Sequence, residues 1–139
     1  MDISLTEGSG PDENKALVRR FFEEGVNTRN QTIMEESFDV AFVNHAPITP
    51  PPHIRRFLPD LVYVVEDLVA EGDKVAVRLT GHGTDTGHYL DHTPTGQPVV
   101  FEGIAIVRIR NGKIIERWAK VDVLALAHAI GVPASYLYG

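Results

Sequence analysis

Cysteine is absent from this chain of 139 residues. No disulfide, thiolate metal site or cysteine nucleophile can therefore form. The lack fits a reducing compartment, and a cytoplasmic location is the expectation. Cations are few and scattered: 13 Lys and Arg stand against 19 Asp and Glu, a net charge of −6. Nucleic acid is not an expected partner, because neutralising phosphates takes clustered positive charge. The same shortage leaves no polybasic anchor for anionic lipid, and no apolar run approaches the roughly 18 residues of a membrane span. The stretch Met1 to Gly10 lacks the basic and apolar regions of a secretory signal. Also missing are a glycine-rich phosphate loop after a strand, a Gly-x-Ser-x-Gly elbow and a His-Glu-x-x-His pair. Neither a cofactor nor a metal is expected.

What remains is 43% apolar and 23% charged, the balance of a globular core rather than of a disordered chain. Residues 1–12 read as a flexible lead-in, and residues 13–139 as one domain. A helix is predicted from about Asp12, because Leu17, Val18, Phe21, Phe22 and Val26 recur at helical spacing. Gln31 to Glu36 is a second, short helix and Phe38 to Val43 a short strand. Pro47, Pro50, Pro51 and Pro52 force a loop, and Ile54 to Leu58 holds one helical turn at most.

From Leu61 the apolar period becomes two. Strands are predicted over Leu61–Ala70, Lys74–Thr84, Pro98–Ile109 and Lys113–Val121, with a loop over Asp85–Gln97. A helix over Asp122–Ile130 ends at Gly131 and Pro133. Helices on one side of an antiparallel sheet make an α+β fold, and a curved sheet around helices leaves an apolar hollow for a small ligand.

The last hairpin has two readings. A two-residue Asn111-Gly112 turn pairs Arg110 with Lys113; a three-residue turn pairs Ile109 with Lys113 and sets Glu102 opposite Lys120. The charge pair favours the second. One face then carries Phe101, Gly103, Ala105, Val107 and Ile109 beside Ile115, Arg117, Ala119 and Val121. Its low charge and small residues mark it as the inner face, with Arg117 either reaching into the hollow or snorkelling to its edge. In the preceding strand the polar set Arg78, Thr80 and His82 reads, by pattern alone, as the solvent face.

Several segments together resemble the SnoaL-like family of polyketide cyclases and ester cyclases. They are Val18-Arg19-Arg20-Phe21-Phe22-Glu23-Glu24, the run from Val65 to Arg78, Thr93-Pro94-Thr95-Gly96 followed by Phe101 and Gly103, and Gly112-Lys113-Ile114-Ile115-Glu116 with Trp118 and Asp122. The resemblance runs from Glu13 to Gly131. It implies an NTF2-like cone with a buried pocket and a homodimer. It also reverses the reading of the third strand, turning Arg78, Thr80 and His82 into the cone.

The departures bear on chemistry. Where the family's cyclases place an acid/base Asp, this chain has Ala119, and their supporting Gln and His fall on Gly103 and Ala105. Pro47 to Pro52 replaces most of a helix that contributes an Asn. The oxyanion donors of related ketosteroid isomerases fall on Phe22 and Ala105, and their base on His45.

The expected site therefore consists of His45, Arg78, His82, Arg117 and Asp122. His45 can move a proton or simply pack in its loop. Arg78 can hold an oxyanion or form a surface ion pair. Asp122 can act in the site or cap the helix it precedes. Phe22, Phe101 and Val107 form the apolar wall, and His88 and His92 stand at its mouth. The implied activity is a cofactor-free cyclisation or isomerisation of a hydrophobic, carbonyl-containing small molecule such as a polyketide. A non-catalytic small-molecule binder of the same fold is the alternative, followed by an epoxide-opening hydrolase or cyclase.

Overall fold

The computed structural model describes residues 10–46, 54–88 and 91–138. The expected lead-in up to residue 9 and the Pro47–Pro52 loop lie outside the described residues. Helix α1 spans Pro11–Arg20 and runs on as a π-helical turn over Phe21–Val26. The wider turn carries Phe21 and Phe22 to one side together, and π-bulges of this kind often sit at functional sites. Helix α2 spans Gln31–Glu36, where the Asn30 side chain accepts from the Ile33 amide at 3.1 Å. Strand β1 is Phe38–Asn44, and the single turn α3 is Ile54–Phe57.

Strands β2 (Val62–Glu71), β3 (Lys74–Thr84), β4 (Pro98–Arg110) and β5 (Lys113–Val121) form an antiparallel meander. Strand β1 joins it parallel to β5, giving the order β1-β5-β4-β3-β2. Helix α4, Val123–Ile130, follows directly, and a last turn, α5, spans Ser135–Tyr138. Among the described residues no helix is long and apolar enough to cross a membrane.

The strand pattern decides where the core lies. Val75, Val77, Val107, Ile109 and Ile114 point inward and share one buried cluster with Val18 of α1 and Leu126 and Ile130 of α4. Each such side chain, fully buried, contributes about 1.5–3 kcal/mol. Phe57, Leu58 and Leu61 extend the cluster beneath the Asp85–Gln97 loop.

The hairpin corrects the preferred register. Arg110 pairs with Lys113 across a two-residue turn, with Asn111 at φ 52° and Gly112 at φ 75°. A bulge between Arg108 and Ile109 then shifts the pairing, so Lys120 faces Ile104 rather than Glu102. Two positive φ values fit an Asn-Gly turn, whose twist matches the strands. The two-residue turn makes Ile114, not Ile115, the buried neighbour of Ile109, and the bulge then returns Arg117 to the inner face. Beyond it the inner face holds Gly103, Ala105 and Val107 beside Arg117, Ala119 and Val121, as the pattern implies.

Strand β3 corrects the resemblance. Val75, Val77 and Leu79 are buried and face in; Arg78 and His82 are exposed and, with Thr80, face out. The alternation of the sequence alone carries the right assignment here.

Candidate functional site

Between the π-helical turn, β1 and the inner sheet lies a cavity of about 320 Å³. That is the low end of the roughly 300–1,000 Å³ of small-molecule pockets. Its wall is a continuous chain of ring contacts. Phe42 meets Phe38 at 4.6 Å, Phe38 meets Phe21 at 5.3 Å, and Phe21 meets Phe22 at 5.1 Å. Tyr63 stands 6.0 Å from Phe22 and 6.0 Å from Phe101, edge to face in both cases. Gly103, Ala105 and Ala119 line the cavity with almost no bulk. Gly81 sets the seat of Phe101: a Cβ there would stand 2.4 Å from the ring's Cζ, so only glycine lets the ring lie across β3.

Two polar groups define one end. The Tyr63 side chain is buried, and its hydroxyl has no hydrogen-bond partner among the described residues. Burial pushes the phenol up to about 12. It therefore stays protonated near neutrality and can donate. Its backbone is clamped by Asn27, which accepts from the Tyr63 amide at 2.8 Å and donates to its carbonyl at 2.7 Å. Arg117 is the second group. Its Nη1 donates to Asn44 Oδ1 at 3.1 Å and to the Ala46 carbonyl at 3.4 Å. Burial lowers the guanidinium from its ordinary value, and the neighbouring Tyr63 acts in the opposite direction. Arginine remains charged throughout the neutral range.

The expected site residues separate into groups. Phe22, Phe101 and Arg117 line the cavity. Val107 is buried in the inner-face core but does not line it. His45 points the other way. Its ring stacks on Trp118 at 4.8 Å and 10°, and Nε2 lies 3.0 Å from Glu116 Oε2. The Glu116 carboxyl is held below its usual range, first by His45 and then by Arg108. Its neighbour Asn44 takes the inward position, because alternate residues of a strand face opposite sides.

Arg78 donates from Nε to Asp67 Oδ2 at 2.7 Å on the outer face, and that carboxylate raises the guanidinium. His82 stands exposed on the same face, in the row Val62–His82–Val100. Asp122 is the N-cap of α4, accepting from the Ala125 amide at 3.1 Å. His88 is exposed and does not line the cavity. His92 is buried elsewhere: Nε2 lies 2.7 Å from Asp85 Oδ1, and the ring meets Phe57 edge-on at 5.0 Å. The other Asp85 oxygen accepts from Thr95 N at 3.0 Å and Thr95 Oγ1 at 2.9 Å. This cluster holds the Asp85–Gln97 loop together. Among the described residues no three His, Asp or Glu side chains group as metal ligands do.

Tyr63 and Asn44 are the cavity groups that sequence reasoning passes over. Tyr63 does carry a signal. It falls on the inward phase with Leu61 and Val65, and a phenol on an otherwise apolar phase needs a partner or a ligand.

Comparison with known proteins places this architecture. The family described as SnoaL-like polyketide cyclase matches residues 16–130. No curated protein matches the chain. Among solved structures, a candidate SnoaL-like polyketide cyclase from Jannaschia sp. CCS1 is 27% identical, with 96% of this chain and 99% of that one covered and a TM-score of 0.72. The candidate hydroxylase AclR from Streptomyces galilaeus is 24% identical, with 89% and 100% covered and a TM-score of 0.77. IdmH, a candidate polyketide cyclase from Streptomyces antibioticus, is 22% identical, with 89% and 100% covered and a TM-score of 0.75. Likenesses as distant as the last two speak to the fold alone, which is NTF2-like. With the family match spanning most of the chain, this protein belongs to the SnoaL-like polyketide cyclase family.

Proposed function

We propose that this chain is a cofactor-free enzyme that cyclises or isomerises a hydrophobic carbonyl compound such as a polyketide. The observation that carries the reading is Tyr63, whose side chain lines the cavity and whose buried hydroxyl has no partner among the described residues. A buried donor left unpaired costs about 1–3 kcal/mol, and a bound carbonyl oxygen would recover that cost. Arg117 adds positive charge at the same end, where a carbonyl turning into an enolate gains negative charge.

The polar side chains that the described lining turns inward are Asn44, Tyr63 and Arg117, and the lining holds no His, Asp or Glu; Lys120 borders the cavity but lies between the inward Ala119 and Val121 and faces out. The reaction is therefore assigned to stabilisation of the enolate rather than to a dedicated base. A methylene between two carbonyls gives its proton to water, and the enolate carbon then attacks or is reprotonated. His45, turned to the outer face, is not assigned the proton transfer.

A non-catalytic binder is the second reading. Gly103, Ala105 and Ala119 favour it, since they widen the cavity where the family's catalysts carry acid/base groups. Benzoylacetone separates the two. Under the enzymatic reading the protein accelerates deuterium exchange of its central methylene in D2O, and Tyr63→Phe and Arg117→Gln each lose roughly 10²–10³ of that acceleration. Binding without any acceleration by the wild type overturns it in favour of the carrier.

The outer sheet face supports a homodimer. Val62, Val64, Val100, Ile104 and Ile106 are each 41–56% exposed there, among Glu66, Arg78, Glu102 and Lys120. Such a face, apolar with charges of both signs, can meet a second copy of itself. Light scattering should give a dimer for the wild type and a monomer for Ile104→Lys; a monomeric wild type rejects the assembly.

A further inference from the structure

We infer that His45 is a positioning residue for the cavity: it clamps the tripeptide Asn44-His45-Ala46 from the outer face of the sheet and so fixes two acceptors, Asn44 Oδ1 and the Ala46 carbonyl, that help to hold the Arg117 guanidinium inside.

The tripeptide straddles the end of β1, which closes at Asn44. Regular pairing to β5 stops with Asn44 opposite Arg117. One backbone bond continues beyond it, from the His45 amide to the Arg117 carbonyl at 2.8 Å. The side chains then divide. Asn44 Oδ1 and the Ala46 carbonyl both accept from Arg117 Nη1, and Asn44 Oδ1 also accepts from the Ala46 amide at 3.0 Å. Between them, His45 crosses to the other side of the sheet.

On that side His45 finds two partners on β5 itself. Its ring lies flat on Trp118, and Nε2 meets Glu116. Residues 116 and 118 flank Arg117, so the clamp grips the strand segment that carries the guanidinium. The grip has backing. The second Glu116 oxygen accepts from Arg108 Nε at 2.7 Å, and Arg108 Nη1 donates to Asp73 Oδ2 at 3.0 Å. Lys74 Nζ stands 6.0 Å from the Trp118 ring. The end of β1 is thus tied through β5 and β4 to the β2–β3 turn.

Chemistry explains why histidine suits the position. Imidazole offers a flat face for the indole and a ring nitrogen for the carboxylate at once. Glutamine keeps the second contact, phenylalanine the first, and alanine neither. Without the side chain, the peptide that presents the acceptors would lose its hold on the outer face and keep, among the described residues, the His45 backbone bond and the contacts with Arg117 itself. The inference bears on catalysis only through the proposed role of Arg117, but the clamp itself can be read on the guanidinium directly.

The test is side-chain ¹H–¹⁵N NMR of protein labelled at arginine, with the Arg117 signals identified by their loss in Arg117→Gln. In His45→Ala these signals should move and exchange with water at least tenfold faster. His45→Gln and His45→Phe should fall between the alanine variant and the wild type. His128→Ala, which removes an exposed imidazole on α4, should leave them unchanged. Glu116→Gln should move them in the same direction as His45→Ala, and it decides the matter if the alanine variant fails to fold. Arg117 signals in His45→Ala that match the wild type overturn the inference. Benzoylacetone exchange measured on the same samples separates the two ideas. If the wild type shows none, the enzymatic reading fails while the clamp stands or falls on the Arg117 signals.

Discussion

Two of the places where the molecule buries polar groups are treated in opposite ways. Under the Asp85–Gln97 loop, the Asp85 carboxylate has His92 on one oxygen and two Thr95 donors on the other. In the cavity wall, Tyr63 buries a hydroxyl that has no partner among the described residues. A satisfied buried carboxylate fixes a loop; an unsatisfied buried phenol leaves a donor for something that arrives later. The contrast explains why two histidines expected at a pocket mouth are not there. His92 belongs to the satisfied cluster, and His88 lies exposed beyond it.

Breaking the satisfied cluster should have the largest effect. Asp85→Ala removes the acceptor of three donors, and unfolding in urea should show a loss of about 3–5 kcal/mol. A loss below about 1 kcal/mol would mean that the loop is held by other contacts.

The cavity wall comes next. Gly81→Ala places a methyl group against the Phe101 ring, and overpacking of this kind costs about 1–3 kcal/mol. A structure of the variant should show the ring displaced toward the cavity and a smaller hollow. An unmoved ring would show that the backbone of β3 yields instead.

The unsatisfied phenol should behave in reverse. Tyr63→Phe deletes a hydroxyl that is unpaired in the free protein, so stability should rise by about 1 kcal/mol while the proposed activity falls. The pH dependence has a definite sign. Folding raises the phenol from its ordinary 10.0 to about 12, so the folded state favours the protonated form. That stability is fully present below pH 10 and is lost as the pH rises toward 12, by about 3 kcal/mol at most. The variant should lack this alkaline loss. Equal alkaline limbs in the two proteins would place the phenol in water.

The smallest effect belongs to the outer face. Arg78 and Asp67 are both exposed, and exposed pairs of this kind contribute little. Arg78→Ala should leave the melting temperature and the benzoylacetone exchange unchanged. A clear loss of exchange would return Arg78 to the site and put the face assignment in doubt.

Much of the fold is legible in the sequence because it rests on local rules. Helical spacing marks α1, Asn111-Gly112 marks the hairpin, and Asp122 with Gly131 brackets α4. The order of segments is enough to suggest the family. The resemblance misleads at Arg78, Thr80 and His82, where a period of two gives the face correctly. It misleads again at His45, because a position shared with a relative does not say which way a side chain turns at the end of a strand.

What the sequence determined by itself is most of the elements, though not the π-helical turn or the last turn α5, together with the inner face and the apolar character of the hollow, since each follows from spacing along the chain. Tertiary structure decided the site. A bulge shifted the β4–β5 pairing, and β1 set Asn44 beside Arg117 from 73 residues away. The π-helical turn and Asn27 brought Tyr63 to the same cavity across 36 residues. Contacts between segments so far apart follow from packing and pairing register, which no local pattern encodes.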